Sequence, residues 1–128
     1  MEQEGYVSLW VGRVPSTEAL EQLLTISYND DGESIPSAFG EGYGLDWYDD
    51  DFREAEWFTQ ASSQVIPIIQ GCSYEKLVLP RFVALLGEQL DQKYNAVILL
   101  YNFKYDGNAI DVSIDDSQLK FLGTVEYV

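Results

Sequence analysis

The segment from Ala96 to Phe103 is rich in β-forming residues and apolar at both odd and even positions until its end. Successive side chains of an extended chain point to opposite faces, so this pattern marks a central strand of a sheet. Lys104-Tyr105-Asp106-Gly107-Asn108 follows and contains an Asp-Gly turn signal. Ile110, Val112 and Ile114 then alternate with Asp111, Ser113 and Asp115, which predicts a strand with one wet face. After Asp115-Asp116-Ser117, the residues Leu119, Phe121, Gly123, Val125 and Tyr127 alternate with Lys120, Leu122, Thr124 and Glu126. The pattern predicts a C-terminal three-stranded antiparallel meander.

The first half mixes strands and helices. Tyr6 to Val11 reads as an internal strand, with Val7, Leu9 and Val11 on one face and Tyr6, Ser8 and Trp10 on the other. Gly12 ends it. Ser16 is placed to cap a helix whose buried stripe is Leu20, Leu23 and Leu24. Thr25 to Tyr28 suits either a short strand or more helix, and Asn29-Asp30-Asp31-Gly32 is turn chemistry. Ser37 is expected to cap one helical turn around Phe39, and Leu45 to Tyr48 to form a short aromatic strand.

Phe52 to Phe58 alternates like a strand, although Glu54, Ala55 and Glu56 are also good helix formers. Gln64 to Gln70 predicts a short helix ended by Gly71, and Tyr74 to Val78 a single turn. Pro80 fits the first position of a helix running from Arg81 to about Gln92, with Phe82, Leu85, Leu86 and Leu90 on one side and Gly87 inside. These elements predict an α+β fold in a single domain over residues 1–128, a mostly antiparallel sheet with helices packed on one face.

Charge narrows the function. Seven basic residues against 22 acidic ones leave a net −15, a field that repels nucleic acid phosphates and anionic membranes and attracts basic partners. The longest apolar run, Ala96 to Tyr101, is much shorter than the roughly 20 residues needed to cross a bilayer. The acidic start Met1-Glu2-Gln3-Glu4 is unlike a secretory signal, and a lone cysteine, Cys72, suits a reducing compartment. A cytoplasmic location is therefore expected.

The chain has no histidine, which removes the commonest general base and transition-metal ligand. Cys72 lies in an apolar neighbourhood with no adjacent base, as a structural cysteine would. The carboxylates Asp49, Asp50, Asp51, Glu54 and Glu56 remain as candidate acid–base or hard-cation groups. Neither Asp46–Asp51 nor Asn29–Glu33 has the spacing of a calcium loop, and adjacent carboxylates on an extended chain point apart. Gly40, Gly42 and Gly44 lack the strand, spacing and lysine of a phosphate-binding loop. The expectation is a binding protein, not an enzyme, without cofactor or metal.

Between Tyr28 and Glu56 stand ten acids and one base, a net of −9 out of −15, interleaved with Trp47, Tyr48, Phe52, Trp57 and Phe58. Crowded like charges destabilise a fold, whereas aromatics ringed by one sign of charge match a protein interface. Asp46, Trp47, Tyr48, Asp49, Asp50, Asp51, Glu54 and Glu56 are the candidate partner-binding residues. Phe52 and Phe58 are expected in the core, and Glu54 is also open to a half-buried role beside Arg53 or a backbone amide. Two rival uses of the same acids stay open, an adaptor or nucleic-acid mimic and a carboxylate-based enzyme or cation binder.

Several stretches resemble the immunity protein 22 family: Val7-Ser8-Leu9-Trp10-Val11-Gly12, Asp51-Phe52-Arg53-Glu54-Ala55-Glu56, Ser73-Tyr74, Tyr94-Asn95-Ala96 leading to Tyr101, and Phe121-Leu122-Gly123. They occur in order over almost the whole chain, while Pro67 and Cys72 depart from the pattern. The resemblance implies an α+β bacterial immunity protein of a polymorphic toxin system. Such a protein is made beside its toxin, kept in the cytoplasm, and neutralises the toxin by binding it. A basic nuclease-type toxin is the partner that the acidic charge would suit.

Overall fold

Two segments are apolar on both faces, and they are neighbours in space. The computed structural model describes residues 1–45 and 47–128. The chain runs β1 (Glu2–Arg13), α1 (Thr17–Leu24), β2 (Ser27–Tyr28), β3 (Ser34–Ile35), α2 (Ala38–Gly42), a 3-10 turn (Asp50–Phe52), β4 (Arg53–Gln64), α3 (Val65–Ile69), α4 (Glu75–Leu86), β5 (Gln89–Phe103), β6 (Asp111–Ile114) and β7 (Ser117–Glu126). One antiparallel sheet has the order β4-β5-β1-β7-β6, and β2 and β3 form a separate hairpin.

The α+β class is as expected, but two details of its architecture differ. The C-terminal strands do not form a meander, because β1 lies between β5 and β7. Burying both faces of β1 and β5 requires the two strands to share the centre of the sheet. The Lys104–Ile110 connection therefore passes β1 and β7 to reach β6 instead of closing a tight turn. Buried Ser8 holds that crossing: its Oγ donates to the Phe103 carbonyl at 2.9 Å and accepts from the Tyr105 amide at 3.1 Å. Only β6 and β7 keep the expected hairpin.

Helices cover both faces of the sheet, not one. Val7, Leu9 and Val11 pack with Val97 and Leu99 against α3 and α4, through Val65, Ile68, Ile69, Val78 and Phe82. On the reverse face Trp10 packs with Ile98 and Leu100 beneath α1 and α2, through Leu20, Leu23, Leu24 and Phe39. Ser16 and Ser37 cap α1 and α2 by accepting the Ala19 and Gly40 amides.

The segment from Phe52 to Phe58 falls in the 3-10 turn and β4, and no strand forms at 45, 47 or 48. Pro67 sits in the first turn of α3, where its missing N–H has no helical acceptor to reach. Pro80 lies inside α4, whose start at Glu75 makes the single expected turn its opening. Gly87, at φ +80°, ends that helix by donating to the Val83 carbonyl, so Leu90 belongs to β5.

Trp10 is fully buried, with Phe39, Phe121, Tyr43 and Tyr105 rings centred 5.0–5.8 Å away. Trp10→Ala is expected to cost about 3–5 kcal/mol of unfolding free energy in urea denaturation. A loss below about 1 kcal/mol would show that the ring cluster does not organise this face.

Candidate functional site

β5 outruns its edge partner. β4 begins at Arg53 opposite Leu100, while β5 continues to Phe103. On the other side β1 slips in register, with Glu2 opposite Phe103 but Val7 already opposite Tyr101. The extra residues bulge outwards, with Gly5 at φ +86° facing Asn102 at φ +57°. Asn tolerates this left-handed geometry, and its Oδ1 accepts from the Gly5 amide at 3.1 Å and from the Tyr127 hydroxyl. The bulge makes Glu2–Glu4 one wall of a groove of about 320 Å³, and Trp47, Asp49 and Phe52 line the other side. Among the described residues no lysine or arginine lines it.

The groove gathers part of the expected site. Trp47 is 59% exposed and also borders a second, more apolar depression with Tyr28, Pro36 and Leu45. Phe52, expected in the core, is instead 47% exposed, whereas Phe58 is half-buried against the α3–α4 face. Asp49 caps the 3-10 turn, its Oδ1 accepting the Asp51 amide at 3.0 Å. The turn brings carboxylate oxygens of Asp49, Asp50 and Asp51 within 4.8 Å of one another. The expected divergence assumed an extended chain, and the tight turn removes it. These three carboxylates converge enough to meet a cationic group.

The other candidate residues contribute less to the groove. Tyr48 borders both the groove and the second depression but is only 5% exposed, packs on Phe39, and shares a 3.0 Å hydrogen bond between its hydroxyl and Ser37 Oγ, so it serves as scaffold more than contact surface. Glu54 and Glu56 pair opposite Leu99 and Val97 on β4 and so face the α3 side of the sheet. Glu54 accepts from the Ser73 amide at 3.0 Å and from its hydroxyl, the backbone-amide role anticipated for it. Glu56 is exposed. Asp46 lies outside the described residues. Glu2 and Glu4 were missed as groove residues, because only the β1–β5 register carries them to Trp47.

Among the described residues Lys120–Asp91, at 3.0 Å, is the one ion pair. Two arginines are occupied by carbonyls: Arg53 donates to Leu24, and Arg81 to Glu126 and Val128. The groove's carboxylates are therefore not neutralised by an ion pair. Burial pushes the Cys72 thiol up, as does the nearby negative charge of Glu54 and Glu75, which works against a thiolate nucleophile. Among the described residues no helix is long and apolar enough to cross a membrane.

A family model described as Immunity protein 22 matches residues 7–128. No curated protein and no solved structure matches the chain. Residues from the stretches that carry the resemblance meet in the fold as structural ties. Glu54 holds Ser73, the Tyr101 hydroxyl donates to the Ser73 carbonyl at 2.7 Å, and the Asn95 side chain bonds both the amide and carbonyl of Val14.

Burial separates surface from scaffold at adjacent positions. Trp47→Ala should change the unfolding free energy by less than about 0.5 kcal/mol, whereas Tyr48→Ala should cost about 3 kcal/mol. Equal losses in urea denaturation would place Trp47 in the scaffold.

Proposed function

The chain belongs to the immunity protein 22 family, and from that premise we propose that it neutralises a basic cognate toxin through the groove between β1 and the 3-10 turn. Family membership supports an immunity-protein role. The observation that carries the finer reading is the set of carboxylates without ion pairs, Glu2, Glu4 and Asp49 lining the groove with the exposed rings of Trp47 and Phe52, and Asp50 and Asp51 beside Asp49 on the adjoining turn. Exposed aromatics are suited to anchor a protein partner, and lysine or arginine of that partner would find both ring faces and carboxylates in the groove.

Like charges held this close repel one another, and a partner's cations relieve the repulsion on binding. The uncompensated field also steers encounter, raising association rates by about 10–10³ over a neutral surface. Rapid capture suits an antidote that must act before its toxin does. A nuclease-type toxin fits best, since a cleft evolved for phosphates attracts an acidic face in the same way. Neutralisation is then stoichiometric blocking in the cytoplasm of a bacterial cell, with no reaction catalysed.

Replacing Asp49, Asp50 and Asp51 together by Asn keeps the capping oxygen and removes three charges. Association with an inactivated toxin domain encoded beside this gene, followed by stopped-flow fluorescence, should slow by about tenfold at low salt and lose much of its salt dependence. An unchanged rate at every ionic strength would contradict this site.

A further inference from the structure

β4 is an outer strand of the sheet. From Arg53 to Trp57 it pairs with β5 in unbroken register over five residues, and a bulge follows before Ser62. An edge strand directs alternate N–H and C=O groups away from its neighbour. Among the described residues the Arg53 amide donates to the Asp50 carbonyl of the 3-10 turn, and no other backbone group from Arg53 to Trp57 bonds to any segment but β5.

This open edge has a groove on each face. On the α1 side a groove of about 560 Å³ is bordered by Thr17, Glu21, Leu24 and Ala55. On the α3 side one of about 350 Å³ is bordered by Glu54, Ile68, Ile69 and Cys72. Arg53, Ala55 and Glu56 border both. A strand laid along β4 would therefore send its odd and even side chains into separate grooves, as strand addition to a sheet edge requires.

Charge selects the occupant. A second copy of this chain would bring Glu54 and Glu56 against their own counterparts, with −15 on each molecule, and like charges across a strand pair destabilise it. A segment carrying lysine or arginine among apolar residues meets Glu21, Glu54 and Glu56 with opposite sign. The edge also continues directly from the Asp49–Asp51 turn. We infer that β4 docks an extended basic segment of the toxin, which adds to the sheet as a sixth strand. This inference rests on the basic partner proposed above and names how that partner is held.

The test is residue-resolved amide hydrogen exchange on the full chain, free and in complex with the inactivated toxin domain encoded beside it. Within Arg53–Trp57 the amides bonded to β5 are protected in both states and act as an internal reference. The outward amides, leaving aside that of Arg53, which Asp50 already holds, should exchange rapidly in the free protein and slow by about a hundredfold in the complex. A complex that leaves their exchange unchanged overturns the added strand but not the toxin-binding role. Failure to form any complex overturns both. Protection that already rises with concentration in the free protein would mean that a second copy fills the edge, and would overturn the inference.

Discussion

The antiparallel pairing of β1 with β5 is the interaction on which the other features depend. Both strands present apolar side chains on both faces, so neither is stable at an edge or with one face wet. Placing them side by side at the centre leaves β7 and β4 to flank them, and β6 and the outer side of β4 as the two edges. It also demands a helical layer on each face, which α1 and α2 provide on one and α3 and α4 on the other. The crossing after Phe103, tied through Ser8, follows from the same choice.

That pairing also produces the candidate site. The strands meet out of register at their outer end, and the Gly5–Asn102 bulge absorbs the mismatch. Glu2–Glu4 is thereby lifted beside Trp47 and Phe52, so residues far apart in the chain share one groove. Negative charge gathered there costs stability, and the fold does little to offset it, with the Lys120–Asp91 pair at a different place. A well-packed two-faced core can bear such a cost. The binding role proposed for the groove supplies a reason for it.

Much of the fold is legible in local patterns. The faces of β1, the stripe of α1 and the caps at Ser16 and Ser37 all follow from periodicity and capping chemistry. Strand order does not, because an Asp-Gly signal after Phe103 favours a local hairpin while the gain from pairing β1 with β5 is nonlocal. Pro80 misleads in a similar way, since its preference for a first turn says nothing about a helix that already began at Glu75. At the candidate site, the run of acids and aromatics marks a stretch of the chain but does not sort its residues into surface and scaffold. Alternation along the chain sends Trp47 out and Tyr48 in, and a 3-10 turn gathers three carboxylates that an extended strand would spread.

The acidic, aromatic groove as the contact surface for a basic toxin is the central claim. Nuclear magnetic resonance titration of the isotopically labelled protein with the inactivated toxin domain tests it most directly. The account predicts that the largest shift changes fall on the Trp47 indole, Phe52, Asp49–Asp51 and Glu2–Glu4. Changes concentrated at β6 or the outer face of α4, with the Trp47 indole unmoved, would contradict it.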